Sequence, residues 1–264
     1  MLSLKSISKS FNKGSINEIS IFEDFNLDIK KGDFVSVVGS NGAGKSTLLN
    51  LISGNIISDK GTISLNEENI THYENYKRSK FIGRVYQDPA KGTSPSMSIM
   101  ENLSICNNKG KSFGLKFCIK KDTEKHFKDE LSILNMGLEN KLHTKVGSLS
   151  GGQRQALSLL MATMVSPDVL LLDEHTAALD PNTSENIINI TENIVKDKGI
   201  TTIMVTHNLS HAITFGNRLI LMHKGAIVKD LEEDFKLKLQ VNDLIEEFKN
   251  VASSNDLSDT MLLS

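Results

Sequence analysis

The order of polar and apolar positions divides the chain into strand-like and helix-like stretches. Residues 1–30 alternate between the two kinds of position, which is typical of antiparallel strands with one buried face. Short, mostly apolar runs at residues 34–38, 169–172 and 200–206 predict buried strands of a parallel sheet. Residues 88–165 contain few strand signals and predict a helical insertion. Together these patterns predict an α/β fold in which helices flank a parallel sheet.

Local start and stop signals predict two helices and a hairpin. A helix is expected over residues 46–52, directly after a glycine-rich turn. A second helix is expected to start at Asp180 and Pro181, because aspartate caps a helix and proline suits its first turn, and to stop at Gly199. Two later strands are expected to form a hairpin that turns at residues 224–225.

The predicted organisation is one large domain over residues 1–235, followed by a C-terminal extension over residues 236–264. The large domain contains the helical subdomain at about residues 88–165. The extension is expected to hold one short helix and a tail that frays. A chain of 264 residues can bury roughly 75% of its unfolded surface, so a large core is possible.

Composition narrows the classes of function. Hydrophobic residues make up 39% of the chain and charged residues 23%, with a formal net charge of −2, which argues against a dedicated nucleic-acid binder. The apolar runs are much shorter than the ~20 residues that cross a bilayer, and residues 1–10 lack the apolar segment of a signal peptide. Cys106 and Cys118 fit no common metal or disulfide spacing and are interpreted as reduced thiols of a cytosolic protein.

A glycine-rich turn after the strand at residues 34–38 carries the first candidate chemistry. It fits the phosphate-loop template of glycine, four residues and then Gly-Lys-Ser, and it consists of Gly39, Ser40, Asn41, Gly42, Ala43, Gly44, Lys45 and Ser46. Backbone N–H groups of such a turn converge on an anion. Lys45 is expected to reach the β- and γ-phosphates, and the hydroxyl of Ser46, with Thr47 beside it, to hold Mg²⁺. Kinases and GTPases share this motif, so alone it indicates only a nucleotide phosphate.

Two carboxylates close the apolar strand at residues 169–172. Asp173 is expected at the carboxyl edge of the sheet, where it would face the Mg²⁺ held by Ser46. Glu174 would point elsewhere and could polarise a water molecule for attack on the γ-phosphate. The alternative is a strand that simply meets solvent at an acidic pair.

A second glycine-rich helix start lies far along the chain, at Leu149, Ser150, Gly151, Gly152 and Gln153. Two glycines and a serine at the start of a helix make another anion-binding nest. One molecule has little use for two such nests for a γ-phosphate, unless the second nest serves a neighbouring molecule.

Two single polar residues complete the series of motifs. Gln87 follows a predicted strand at residues 81–86, and His207 follows the predicted strand at residues 200–206. A lone glutamine is usually a surface residue and a lone histidine is usually structural. Their positions in the series make both residues candidates for function.

In these five motifs, and in residues 178–181, the chain resembles the ATP-binding subunit of ABC transporters over roughly residues 1–235. The resemblance implies a P-loop NTPase core with a parallel sheet, an N-terminal antiparallel β subdomain and an inserted helical subdomain. It also implies ATP and Mg²⁺ as cofactors and hydrolysis of ATP to ADP and phosphate. In that family a head-to-tail homodimer sandwiches two ATP molecules, so residues 150–153 would bind the ATP held by the partner copy.

The resemblance also implies roles for single residues. Glu174 would be the general base, and His207 would steady the γ-phosphate and this base. Gln87 would sense Mg²⁺ or the attacking water and contact the membrane subunit, and Asp180 would link the two sites across the dimer. Phe11 stands where such cassettes keep an aromatic residue that stacks on adenine, with packing in the core as the alternative.

The implied partners are multispanning membrane permease subunits and, indirectly, a substrate-binding lipoprotein. The chain would then lie in the cytoplasm, peripheral on the inner face of the cell membrane. Residues 173–181 and 216–220 look like a bacterial importer subgroup thought to serve aromatic or related amino acids. Phe11, His175 and Ala177 depart from the residues more usual in the family, but none of them removes a ligand needed for chemistry.

Two alternative functions stay open. A soluble ABC ATPase of translation or DNA repair usually carries two cassettes, long coiled-coil insertions or zinc motifs. A P-loop kinase would not need residues 150–152 or His207.

Two stretches are candidates for docking a partner, and residues 94–102, shortly after Gln87, are the better one. The lysine-rich stretch at residues 109–128 is interpreted as a solvated helical face, with contact to acidic lipid as the alternative.

Overall fold

The computed structural model describes residues 1–109 and 121–251. The chain forms two compact units, one of Met1–Ser79 with Ile200–Ser264 and one of Lys80–Gly199. Cys118, much of the lysine-rich stretch and the tail at residues 252–264 lie outside the described residues.

The first unit begins with β1 (Leu2–Phe11), β2 (Ile19–Ile29), β3 (Phe34–Gly39), α1 (Lys45–Ser53), β4 (Lys60–Leu65), β5 (Glu68–Asn69) and α2 (Asn75–Arg78). The second unit contains β6 (Ile82–Val85), α3 (Ile99–Asn107), α4 (Lys121–Ser132), α5 (Gly151–Thr163), β7 (Val169–Asp173) and α6 (Pro181–Lys198). The first unit then resumes with β8 (Thr201–Val205), α7 (Leu209–Thr214), β9 (Arg218–His223), β10 (Ala226–Glu232), α8 (Glu233–Lys236) and α9 (Val241–Val251).

An antiparallel sheet opens the first unit, with the strand order β2-β1-β4-β5. Leu2 of β1 pairs with Ile29 of β2 and with Leu65 of β4. Because β1 is the middle strand of the three, its apolar side chains have neighbours on both sides. The alternating pattern predicted antiparallel strands here, and this prediction is confirmed.

A second sheet of the first unit carries the glycine-rich turn. β3 pairs in parallel with β8 and with β9, and β9 continues into β10 through an antiparallel hairpin. Every residue of β3 and β8 is buried, as their mostly apolar runs predicted. The hairpin turns at Lys224 and Gly225, whose φ angles of 44° and 78° suit a tight turn between twisted strands.

The second unit pairs β6 with β7 in parallel, with Arg84 opposite Leu171. Its helices α3, α5 and α6 each begin at a residue whose side chain accepts a hydrogen bond from a first-turn N–H, namely Ser98, Ser150 and Asp180. Helix α6 ends at Gly199, which has a left-handed φ of 60°. The predicted cap, first-turn proline and glycine stop of α6 are therefore confirmed.

The described elements confirm an α/β fold with parallel strand pairs and a separate antiparallel sheet. Within the described residues, no helix combines the length and the apolarity that crossing a membrane requires. The boundaries at residues 1–235, 88–165 and 236–264 remain predictions.

Candidate functional site

The glycine-rich turn leaves β3 at Gly39 and enters α1 at Lys45. Gly42 and Gly44 have φ angles of 80° and 97°, a region that L side chains rarely adopt. Lys45 is buried, and its ammonium group donates to the carbonyl oxygens of Gly39 at 2.6 Å and Ser40 at 3.0 Å. The turn therefore holds the ammonium group against its own backbone.

Neighbouring strands hold this turn in place. The N–H of Gly225, in the β9–β10 hairpin, donates to the carbonyl oxygen of Ala43 at 3.1 Å. A Cβ on Gly39 would lie 2.3 Å from a backbone oxygen of β9, and a Cβ on Gly44 would lie 2.9 Å from the ring of Phe22 in β2. Because no side chain fits at these two positions, the glycines permit the close packing that fixes the turn.

The start of α1 fits a phosphate group. Helix α1 follows Gly44 and has no side-chain cap; the four-residue helices α2 and α8 also lack one, whereas α3, α5, α6 and α7 each have one. The first turn of α1 holds no acidic residue, and Ser46 is exposed there. Backbone N–H groups at a helix start lack intrahelical acceptors and carry partial positive charge. The phosphates of ATP would supply the acceptors, and the hydroxyl of Ser46 is a suitable oxygen ligand for Mg²⁺.

His207 lies at the same edge of this sheet as the turn, because β8 runs parallel and adjacent to β3. The residues around it are fixed by hydrogen bonds. The N–H of Thr206 donates to the carbonyl oxygen of Val37 at 3.2 Å, and the side chain of Asn208 accepts from the N–H of His211 at 2.9 Å. His207 is thereby held between the end of β8 and the capped start of α7.

Phe11 ends β1 and keeps 37% of its surface exposed. The ammonium group of Lys9 lies 5.6 Å from the centroid of this ring and pairs with Asp59 at 3.2 Å. An exposed ring that a lysine covers argues against the alternative of core packing. Stacking of Phe11 on adenine remains a prediction.

In the second unit, Gln87 and Asp173 line one cleft of about 390 Å³. Asp173 ends β7 and Gln87 follows β6, and these two strands are parallel neighbours, so both residues reach the same edge. The other lining residues are Tyr86, Asp88, Pro89, Lys91 and Ala178. Two of the three residues predicted to hold Mg²⁺ therefore lie together.

Asp173 forms an ion pair inside this unit. The Nη2 of Arg84 donates to the Oδ2 of Asp173 at 2.6 Å, and the two side chains are only 9% and 18% exposed. The guanidinium carbon of Arg84 also lies 4.7 Å from the centroid of the Tyr86 ring. Sequence reasoning missed Arg84. The available signal was a charged residue inside the apolar run at residues 81–86.

Glu174 directly follows β7 and has a φ of 47°, a left-handed conformation that non-glycine residues rarely adopt. The carbonyl oxygen of Glu174 accepts from the N–H of Ala177 at 3.0 Å and closes the turn. The next residue, His175, is buried, and its Nε2 lies 3.3 Å from the hydroxyl oxygen of Thr191 in α6. The unusual histidine thus has a packing role, and the backbone leaves the strand direction at Glu174.

The glycine-rich start of α5 is exposed at Ser150 and Gly151. The hydroxyl of Ser150 accepts from the N–H of Gln153 at 3.2 Å, and the side chain of Gln153 accepts from the N–H of Ser150 at 3.4 Å. This capping box does not include the N–H groups of Gly151 and Gly152, which lack intrahelical acceptors as members of the first turn. The start of α5 can therefore accept an anion presented from outside.

Gly152 packs tightly against the start of α6. A Cβ on Gly152 would lie 2.4 Å from the Cγ2 of Thr183, whereas one on Gly151 would meet Leu179 at an ordinary 3.7 Å. Hydrogen bonds from the hydroxyl and the N–H of Thr183 lower the pKa of the Asp180 carboxyl. The predicted dimer residues Gly151, Gly152 and Asp180 are thus brought together.

A buried glutamine connects α5 with the cleft. The side chain of Gln155 donates to the carbonyl oxygen of Tyr86 at 3.1 Å, directly before Gln87. Sequence reasoning missed both Gln155 and Thr183, because each lies inside a helix pattern that core packing explains equally well.

A phosphate loop that holds a buried lysine, on a sheet edge shared with a histidine, defines a P-loop nucleotide-binding protein. The ABC transporter family matches residues 22–177 of the chain. The chain is 50% identical to the tyrosine transport ATP-binding protein of Clostridioides difficile strain R20291 over 249 residues, which are 94% of this chain and 99% of that protein.

More distant relatives are also ATP-binding proteins. The methionine import ATP-binding protein MetN of Clostridioides difficile strain 630 is 31% identical over 245 residues, 89% of this chain and 70% of MetN. The spermidine/putrescine import ATP-binding protein PotA of Fusobacterium nucleatum is 33% identical over 230 residues, 86% of this chain. The chain spans only 56% of the length of that PotA.

Solved structures share the fold. The ATP-binding cassette MJ0796, a dimer in a post-hydrolysis state bound to ADP and Pi, is 27% identical with a TM-score of 0.75, covering 88% of this chain and 99% of that one. The cassette MJ1267 in its ADP conformation is 25% identical with a TM-score of 0.76, covering 96% of this chain and 99% of that one. The predicted P-loop NTPase fold, with its antiparallel β subdomain and helical insertion, is confirmed.

The chain belongs to the ABC transporter family, as one of its ATP-binding cassettes. Cassettes of this family are ATPases, and this chain is an ATPase that converts ATP and water to ADP and phosphate. The predicted family and enzyme class are confirmed, whereas the roles of individual residues stay predictions.

Proposed function

We propose that the chain is the ATP-hydrolysing subunit of an importer, in which a head-to-tail homodimer couples ATP binding and hydrolysis to transport by separate membrane permease subunits. The observation that carries this proposal is the 50% identity, over 94% of the chain, to a tyrosine transport ATP-binding protein. The proposed cargo is an aromatic or related amino acid, delivered by a substrate-binding lipoprotein. The proposed location is cytoplasmic, peripheral on the inner face of the membrane.

The phosphate loop, Gly39 to Thr47, is proposed to bind the triphosphate, with Phe11 stacked on adenine. Bound Mg²⁺ would neutralise charge on the β- and γ-phosphate oxygens as the terminal phosphate is transferred to water. Lys45 is proposed to exchange its two carbonyl acceptors for phosphate oxygens, because hydrogen bonds between charged groups are stronger. Ser46, Gln87 and Asp173 are proposed as the residues that hold Mg²⁺, directly or through water.

The chemical step is proposed to depend on two residues. Glu174 accepts the proton of the attacking water as general base, which is a suitable role for a carboxylate beside the metal ligand Asp173. His207 donates a hydrogen bond to the γ-phosphate and steadies it. The left-handed backbone at Glu174 supports a functional role distinct from that of Asp173, because strained backbone conformations cluster at functional sites.

The start of α5 is proposed to complete the ATP site of a second copy of the chain. Its exposed residues Ser150 and Gly151, with Gly152 and Gln153, would bind the γ-phosphate held by the partner. Asp180 would connect the two sites, since Thr183 links it to Gly152 within one copy.

Glu174→Gln tests the ATPase and dimer parts of this proposal. The variant should keep ATP binding, lose at least about 10²-fold in turnover, and accumulate as an ATP-bound dimer in gel filtration. Glu185→Gln, an exposed residue of α6, is the matched control and should resemble the unmodified chain. Unchanged turnover of the Glu174 variant would remove this residue from the role of base. A variant that binds ATP but stays monomeric would contradict the homodimer.

Purification of the tagged chain from membranes tests the importer part. A multispanning membrane protein and a lipoprotein with a bound amino acid are expected to copurify. Recovery of ribosomal or DNA-repair components in their place would favour the alternative of a soluble ABC ATPase.

A further inference from the structure

We propose that Arg84 is a positioning residue of the metal site, which anchors one oxygen of Asp173 and leaves the other oxygen available to the metal. This inference rests on the proposed role of Asp173 as a metal ligand. It concerns a residue that does not belong to any of the five motifs.

The contact between Arg84 and Asp173 involves a single carboxylate oxygen. The Nη2 of Arg84 donates to Oδ2 at 2.6 Å, and Oδ1 is not part of this hydrogen bond. The side chains are 9% and 18% exposed, so water competes little for the bond. A carboxylate fixed through Oδ2 keeps Oδ1 in one direction, which is what a metal ligand needs.

Two neighbours fix Arg84 itself. Its backbone lies in β6 opposite Leu171, two residues before Asp173 in β7. Its guanidinium carbon lies 4.7 Å from the centroid of the Tyr86 ring. Tyr86 follows β6 directly and is two residues from Arg84. Side chains two residues apart along an extended chain point to the same side. A planar guanidinium can stack face to face on an aromatic ring while its N–H groups bond a carboxylate in the plane of the group, whereas an ammonium group has no plane with which to stack.

The surroundings of the pair favour this role over a purely structural ion pair. Asp173 lines the same cleft as Gln87, the second residue proposed to hold the metal. A largely buried ion pair is weak evidence for a gain in stability, because desolvation opposes the attraction between the charges. Residues that hydrogen-bond a metal ligand, in contrast, orient that ligand and typically change metal affinity.

The opposite hypothesis is that Arg84 competes with the metal for Asp173. Loss of a nearby positive charge would then strengthen cation binding. Loss of a positioning residue weakens it, by about 10–100-fold for typical partners of metal ligands. The direction of the change therefore separates the two hypotheses.

The experiment compares Arg84→Met with Lys91→Met, which removes a cation from the same cleft without touching the ion pair with Asp173. The affinity for a fluorescent, non-hydrolysable ATP analogue is measured in EDTA and over a Mn²⁺ titration, with bound Mn²⁺ followed by electron paramagnetic resonance. Arg84→Met should bind the analogue normally in EDTA and bind Mn²⁺ about 10–100-fold more weakly. Lys91→Met should bind Mn²⁺ as well as the unmodified chain does, or better.

Three outcomes for Arg84→Met would overturn the proposal: an unchanged Mn²⁺ affinity, a higher Mn²⁺ affinity, or a loss of analogue affinity in EDTA that is as large as the loss of Mn²⁺ affinity. Arg84→Lys keeps the charge without the planar group and serves if the methionine variant does not fold. It should also weaken Mn²⁺ binding, by a smaller factor, and normal binding would contradict the proposal. Asp173→Asn distinguishes a failure of the inference about Arg84 from a failure of the metal site on which it rests. If Asp173→Asn leaves the Mn²⁺ affinity unchanged, the proposed metal site itself is wrong.

Discussion

Replacing Arg78 with methionine removes a guanidinium group that caps the helix leading out of the phosphate loop. Arg78 is fully buried and donates to the carbonyl oxygens of Leu51 at 2.6 Å, Ile52 at 2.9 Å, Thr71 at 2.8 Å and Tyr73 at 2.8 Å. Burial lowers the pKa of Arg78 to about 10, so the group stays charged at neutral pH. Carbonyl groups at the end of a helix carry partial negative charge and offset the burial of this cation.

The size of the effect follows from the carbonyl groups that lose their donor. The oxygen of Leu51 also accepts from the N–H of Gly54 at 3.3 Å, so the loss falls mainly on the other three. A buried polar group without a partner costs about 1–3 kcal/mol, and the apolar methionine side chain offsets part of the sum. We expect the free energy of unfolding to fall by about 3 kcal/mol, which lowers Tm by roughly 6–12 °C in a chain of this size.

Urea unfolding followed by far-ultraviolet circular dichroism measures this change, because the chain contains no tryptophan for fluorescence. Lys77→Met is the matched control: Lys77 is the exposed neighbour of Arg78, and its loss should change stability by less than about 0.5 kcal/mol. Arg78→Lys should fall between the two, since an ammonium group cannot reach all four carbonyls. If Arg78→Met is as stable as the Lys77 variant, the guanidinium does not cap α1 and the reasoning is refuted.

Three further predictions concern the second unit. Gly152→Ala should lower Tm because the added Cβ would lie 2.4 Å from the Cγ2 of Thr183. Thr183→Ser removes that methyl group and should restore much of the lost Tm in the double variant. Failure of this rescue would exclude the contact as the cause. Glu174→Asn should be more stable than Glu174→Gln by about 1 kcal/mol in thermal unfolding, because asparagine tolerates the left-handed φ of 47°, and equal stability would argue against strain there. Burial raises the pKa of the Cys106 thiol, and the charge of Lys109 opposes this with a smaller effect. In a Cys118→Ser background, iodoacetamide should therefore modify Cys106 slowly at neutral pH and faster as the pH rises. Fast labelling at neutral pH would contradict this prediction.

Local signals in the sequence predicted the elements that depend on neighbours along the chain. The cap at Asp180, the proline after it and the stop at Gly199 are enough to define α6, because each acts within one turn of a helix. The hairpin at residues 224–225 and the turn before Lys45 have the same kind of local cause. Asp173 was expected at the metal because it ends a strand at the edge of the sheet, whereas Gln87 was expected there only through the resemblance to ABC cassettes.

Contacts between distant residues could not be predicted in this way. Arg84 and Asp173 are 89 positions apart, and nothing in either strand pattern says which side chain faces which. Arg78 resembles any charged residue of a short helix until the four carbonyl groups around it are known. The left-handed backbone at Glu174 depends on the turn that follows it, and glutamate itself gives no such signal.

Mixing two inactive variants tests most directly whether two copies of the chain share each ATP site. Lys45→Ala damages the phosphate loop and Ser150→Arg damages the exposed start of α5, so each variant alone should lose most ATPase activity. In an equimolar mixture half of the dimers contain both variants, and each of these has one intact site, so activity should recover to about one quarter of that of the unmodified chain. A mixture that is no more active than the mean of the two separate variants would contradict a shared site.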